Sequence, residues 1–170
     1  ESIILYEKSL KIRLDLLGKV HPDVVKSYNN LGLSYISKTE YGRAIEYFLK
    51  ALEIRLKTLG EDNLEVARSC YSLGFSYNSN GEYDKAIEYH LKALGIRLKI
   101  FGEDNLDVAW SYNGLGTSYW SKGVYDKAIE CNLKAIEIRL KNSAVADDIN
   151  IASSYVNLGV YYNSKGEYDK

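Results

Sequence analysis

The sequence predicts an all-α protein, an α-solenoid of stacked antiparallel helix hairpins, on three observations. They are a 42-residue repeat, two apolar stripes of helical period inside each copy, and a glycine between the two stripes. Residues 27–68 laid over 69–110 without a gap match at 27 of 42 positions. The third copy begins at Ser111 in the same frame, and the fourth at Ser154, after one extra residue within 142–151. Run backwards, the frame sets Ile3, Leu10, Ile12, Arg13 and Gly18 on Ile45, Leu52, Ile54, Arg55 and Gly60. Residues 1–26 therefore read as the second half of a copy, 27–68, 69–110 and 111–153 as full copies, and 154–170 as a first half, all in one array. The chain holds no methionine and starts at Glu1, which leads to the expectation that it is a piece of something longer, cut within a repeat at both ends.

The first stripe of a copy runs through Tyr28, Leu31, Leu33 and Tyr35. The second runs through Tyr41, Ala44, Ile45, Phe48, Leu49, Leu52 and Leu56, at the i, i+3, i+4, i+7 spacing that puts apolar groups on one face of a helix. Gly81, Gly123 and Gly166 mark the turn between them, where a residue free to take positive φ ends one helix and redirects the chain. Thr39 takes that place in the first full copy.

The first helix of each copy is announced in one slot by Asn63, Asn105, Asp148 and the pair His21-Pro22. Asn and Asp cap helices, and proline suits the first helical position. Acids follow at Asp23, Glu65 and Asp107, where the helix dipole favours them. The second helix carries Glu46/Lys50, Glu53/Lys57, Glu88/Lys92, Glu130/Lys134 and Glu137/Lys141. Such i,i+4 pairs are worth roughly 0.2–0.5 kcal/mol each, and they mark a solvated outer face. No hairpin can bury its apolar faces alone, so neighbours must stack, and stability becomes a sum of unit and interface terms.

Within each copy the residues also fall into a known pattern of aromatic, Leu-Gly, Tyr, Ala, aromatic and Ala. The first full copy has Tyr28, Leu31-Gly32, Tyr35, Ala44, Phe48 and Ala51. The second has Cys70, Leu73-Gly74, Tyr77, Ala86, His90 and Ala93, and the third has Tyr112, Leu115-Gly116, Tyr119, Ala128, Asn132 and Ala135. This resembles the tetratricopeptide repeat, with His90 and Asn132 departing from the aromatic slot. The longer unit, with ALEIRLKTLGED before the next helix, is similar to the 42-residue variety of kinesin light chains. The resemblance implies a right-handed superhelix whose first helices line the concave surface and whose second helices form the convex one.

Lys and Arg total 22 against 23 Asp and Glu, a balance that gives no electrostatic reason to expect nucleic acid or a membrane surface. No apolar run approaches the roughly 20 residues of a membrane span. A soluble, cytoplasmic segment is the expectation. Cys70 and Cys131 lie far apart with no CxxC or Cys/His cluster, so buried free thiols are expected and neither a zinc site nor a disulfide. His21 reads as a linker residue and His90 as a packing residue. The pairs Glu61-Asp62 and Glu103-Asp104 precede a capping Asn and lack an EF-hand pattern. The chain contains no GxxxxGK[ST], GxGxxG or GxSxG. The expectation is a non-enzyme with no cofactor and no metal.

Function then falls to the inward positions of the first helices. These project to Lys26, Asn29, Leu33 and Ile36; Arg68, Tyr71, Phe75 and Asn78; Trp110, Asn113, Thr117 and Trp120; and Val156, Val160 and Asn163. The surface they form is apolar and amidic. Asn can pair with the backbone of an extended peptide and aromatic residues offer anchors, which predicts a groove for a protein or peptide partner. Trp110 and Trp120 flank Gly114 and Thr117 and are read as pocket walls. In chaperone-adaptor tetratricopeptide domains, inward Lys and Asn hold a C-terminal carboxylate. Here those slots carry Asn29, Tyr71 and Asn113, and Leu33, Phe75 and Thr117, so that clamp is missing. The alternative expectation is an architectural element that self-associates head to tail, with Tyr155, Leu158 and Tyr162 of one molecule meeting Ile3, Tyr6 and Leu10 of the next.

Overall fold

A computed structural model describes residues 2–142 and 149–166. They form eight helices: α1 (Ser2–Leu17), α2 (Pro22–Ile36), α3 (Tyr41–Leu59), α4 (Leu64–Ser79), α5 (Tyr83–Phe101), α6 (Leu106–Ser121), α7 (Tyr125–Asn142) and α8 (Ile149–Lys165). No strand occurs among the described residues, and each helix packs against its neighbours in the chain. In addition α4 touches α6, so successive first helices approach one another. The all-α solenoid predicted from the repeat is the observed architecture.

Local chemistry sets the helix ends. Asn63 Oδ1 accepts from the Glu65 amide and Asn105 Oδ1 from the Asp107 amide, both at 2.8 Å. His21 is more than a linker residue: its Nδ1 accepts from the Asp23 amide at 3.2 Å and caps α2, with Pro22 at the first helical position. Asp148 lies outside the described residues. Gly81, Gly123 and Gly166 take φ values of 82°, 82° and 84°. Thr39 adopts φ 60° in the same slot, and the turn keeps its form: the Glu40 amide donates to Tyr35 O at 2.9 Å, as the Glu82 amide does to Tyr77 O. A β-branched residue there bears the steric cost that glycine avoids.

The core lies between the rows of first and second helices, in three successive clusters along the array. Ala44, Ala86 and Ala128 are fully buried, as are Ala51, Ala93 and Ala135. Their small side chains let helices approach, while Leu31, Leu73, Val24, Val66 and Val108 fill the remaining space. Four of the five expected Glu–Lys pairs form, at 2.6 Å for Glu53–Lys57 and Glu88–Lys92 and 3.0 Å for Glu130–Lys134 and Glu137–Lys141. The fifth, Glu46–Lys50, does not; Lys50 lies over the rings of Tyr47 and Tyr28. The loop acids are tied to the next hairpin, Asp62 to Lys99 and Asp104 to Lys141. No group of three His, Cys, Asp or Glu residues arranged for a metal occurs among the described residues.

Candidate functional site

The first helices α4, α6 and α8 converge on a pocket of about 350 Å³. From α4 it receives Tyr71, Phe75 and Asn78; from α6 Trp110, Asn113, Gly114, Thr117 and Ser118; from α8 Asn150, Ser153 and Asn157. His90 of α5 reaches in from behind. Phe75 and Trp110 keep 47 % and 45 % of their surface exposed. A shallower hollow of about 200 Å³ joins Asn29 and Leu33 of α2 to Arg68, Ser69 and Ser72 of α4.

His90 holds the slot that Phe48 fills one hairpin earlier, and it is 2 % exposed. Its ring lies so close to Gly74 and Gly114 that a methyl group at either would stand 2.7 or 2.8 Å from it. Tyr71 meets the ring edge-on at 5.1 Å. Burial, with the Arg97 charge nearby, pushes the imidazole down to about 4, so the ring is neutral at pH 7. Among the described residues its Nδ1 has no hydrogen-bond partner, and neither do Asn78 Oδ1 and Ser118 Oγ. All three residues line the one pocket.

Behind the groove stands a row of arginines whose role the sequence reading did not anticipate. Arg13, Arg55, Arg97 and Arg139 occupy one position in the second helices, and each donates to a serine of the following first helix: Ser27, Ser69, Ser111 and Ser154. Arg97 and Arg139 are 7 % and 2 % exposed. Arg97 lies over Tyr71 at 5.2 Å and Arg139 over Trp110 at 5.3 Å. Burial draws Arg55 and Arg97 below the ordinary guanidinium value.

This row occupies the groove asparagines. With its oxygen turned to Arg55, Asn29 accepts from both guanidinium nitrogens at 2.8 and 3.1 Å. Asn113 likewise accepts from Arg139 at 3.0 and 3.1 Å and donates to Asn132 Oδ1 at 3.1 Å. Asn132, buried in the third aromatic slot, donates to Ser154 O at 2.6 Å. Asn29 and Asn113 thus hold their own protein together.

Of the projected groove residues, Tyr71, Phe75, Asn78, Trp110, Asn113 and Thr117 meet in the main pocket, and Asn29, Leu33 and Arg68 in the shallower hollow. The rest go elsewhere. Trp120 is no wall of the pocket: its Nε1 donates to Ser164 Oγ at 2.8 Å, and its indole stacks on Tyr161 at 6.1 Å, joining α6 to α8. Ile36 packs against the core. Lys26 is bound to Asp23 at 3.3 Å. Val156 and Val160 are exposed on α8, as is Asn163, and none of them lines the pocket. Sequence reasoning missed Ser118, Asn150 and Asn157, small polar residues of the types that also cap and solvate helices.

The fold has close counterparts. BtubC (BKLC) of P. vanneervenii is 28 % identical with a TM-score of 0.83; the alignment covers 96 % of this chain and 65 % of BtubC, so the chain spans about two-thirds of that protein's length. A Podosopora anserina putative kinesin light chain with nearly identical TPR-like repeats is 22 % identical, with a TM-score of 0.84 over 98 % of this chain and 79 % of the other. The Sgt2 TPR domain of Aspergillus fumigatus is more distant, at 18 % identity and a TM-score of 0.62 over 86 % and 82 %. No curated protein matches the sequence. The tetratricopeptide repeat profile matches residues 1–57 and 65–141, most of the chain, and together with the hairpin geometry this settles its kinship: the protein belongs to the tetratricopeptide repeat family.

Proposed function

We propose that the chain is a protein-interaction module that holds an extended segment of a partner protein along the face lined by α2, α4, α6 and α8. One observation carries the reading: Asn78 Oδ1, His90 Nδ1 and Ser118 Oγ all lack a hydrogen-bond partner among the described residues, and all belong to residues of a single pocket with an aromatic rim. A buried polar atom left unsatisfied costs about 1–3 kcal/mol, and three in one place suit a surface built to be completed by another molecule. Family membership supports the same reading, since these repeats generally serve as interaction scaffolds. The reading includes no catalytic role and no cofactor, and it keeps the division into 1–26, 27–68, 69–110, 111–153 and 154–170 as the repeat frame. It extends to a cytoplasmic setting, supported by two free thiols buried rather than bridged.

Phe75 and Trp110 are the residues to vary, because both are exposed at the rim of the pocket; Trp110 also lies under Arg139, which Asn113 and Ser154 hold as well. In a peptide-library screen, binders of micromolar affinity should weaken at least about tenfold on Phe75→Ala or Trp110→Ala, each variant keeping a cooperative unfolding transition. A screen whose binders all ignore both substitutions rejects the groove reading.

Exposed apolar surface favours a second reading, self-association. Helix α1 presents Ile4, Leu5, Ile12 and Leu16 at 57–77 % exposure, and α8 presents Tyr155 and Val156 at 53 % and 66 %. The contact differs from the one foreseen, because Ile3 and Leu10 are already buried within the chain. Sedimentation at rising concentration should show association that Leu5→Glu with Leu16→Glu removes; a strict monomer rejects it.

A further inference from the structure

The second hairpin leaves open a space that its neighbours fill. One position of the first helices carries Tyr28, Cys70, Tyr112 and Tyr155. Tyr28 lies 6.2 Å from Tyr47, and Lys50 Nζ rests over both rings at 6.0 and 5.2 Å. Tyr47 is itself stacked on Tyr35 at 5.5 Å and 7°. Tyr89 repeats that placement, stacked on Tyr77 at 5.4 Å and 13°, so it has not moved across to take the place of the missing ring. Lys92 stands over Tyr89 alone, at 5.0 Å.

What remains is a cavity of about 370 Å³ between α3 and α5, over α4, on the side away from the groove. Its walls are mainly apolar, with Leu52, Leu56, Val66, Cys70 and Ile96 among them, and Glu61, Asp62 and Lys92 supply the charged part of the lining. One repeat further, the equivalent hollow contains Tyr112 and measures about 180 Å³, with Lys134 over that ring at 5.5 Å. One ring more leaves half the space. Apolar cavities of ~150 Å³ accept a benzene-sized ring, and an ammonium over the ring face adds attraction.

We propose that this cavity is a binding site for a tyrosine side chain presented by a partner protein. The array itself specifies the occupant, since the other three copies place tyrosine at this position and none places phenylalanine. Cys70 suits such a wall, because burial pushes its thiol up to about 11 and keeps it neutral. The inference is independent of the groove reading, for the cavity lies among the second helices.

The test titrates the chain with p-cresol and with N-acetyltyrosine amide while following the methyl signals of Leu52, Leu56, Val66 and Ile96. Both should shift these signals saturably, Cys70→Ala should retain the effect, and Lys92→Met should weaken it about two- to fivefold. Cys70→Tyr should abolish it and raise the thermal midpoint. Absence of saturation with both compounds overturns the proposal, as do shifts that persist unchanged in Cys70→Tyr. Saturation by p-cresol alone overturns the protein side chain as the source and makes the cavity a small-molecule site.

Discussion

Between pH 7 and pH 4 the array will lose about 3 kcal/mol of stability through His90 alone. The imidazole titrates near 6.5 when the chain is unfolded and at about 4 when it is folded. Below 6.5 the unfolded chain therefore takes up a proton that the folded chain refuses, and each unit of separation is worth about 1.4 kcal/mol. This contribution is fully present above pH 6.5, falls as the pH drops, and levels off below about 4. Carboxylates also titrate in this window, so the isolating comparison is His90→Phe, which restores the residue type of Phe48 one hairpin earlier and leaves nothing to protonate. Denaturant unfolding of both proteins at pH 7, 5 and 4 should give curves that diverge by about 3 kcal/mol as the pH falls. Parallel pH dependence of the two proteins would mean that His90 is protonated at little cost.

Methyl groups added at equivalent glycines of successive repeats will have sharply unequal effects. At Gly32 a Cβ would stand 2.6 Å from the ring of Phe48, which is 1 % exposed and cannot yield. At Gly74 it would stand 2.7 Å from His90. At Gly116 the nearest atom is Ala128 O at 3.2 Å, and at Gly159 nothing lies within 4 Å. Gly32→Ala and Gly74→Ala should each cost about 1–3 kcal/mol by overpacking. Gly116→Ala should cost little, and Gly159→Ala should gain about 0.5–1 kcal/mol from helix propensity. Gly95→Glu belongs with the last: it is exposed in α5 with open space around it, and it completes a pair with Lys99 that Glu53 and Glu137 already make in theirs. Urea midpoints that ranked the four alanine variants equally would show that the close approach is not what the glycines supply.

The helices, their turns and their caps were legible because each rests on signals within about twenty residues: period, a capping Asn, a glycine or its substitute. The main pocket was legible in part for the same reason, since Tyr71, Phe75, Asn78, Trp110, Asn113 and Thr117 share the inward side of two adjacent first helices. What escaped depends on contacts between hairpins. An arginine in a helix full of Glu and Lys reads as solvated, yet Arg139 is 2 % exposed because Ser154, in the next hairpin, receives it. The signal was available in the copies themselves, where Arg and Ser recur together as Arg13/Ser27, Arg55/Ser69 and Arg97/Ser111. Asn29 and Asn113 look available to a peptide backbone until that same row is known, because Arg55 and Arg139 take their oxygens. Trp120 was misplaced because its partners, Tyr161 and Ser164, lie a whole repeat away.

The arginine row also governs how such an array can change its length. Each bond ties one hairpin to its successor across 14 residues, or 15 at the last junction, where the sequence carries one extra residue and the bond is kept. Excising or duplicating a block of 42 residues that lies wholly before residue 142 still presents every guanidinium with a serine hydroxyl. Any other length strands a buried charge unless the difference falls in a loop. The array therefore carries its own arithmetic for recombination, in which whole copies can be gained or lost with every arginine still meeting a serine, and the ladder of charges acts as the check on the count.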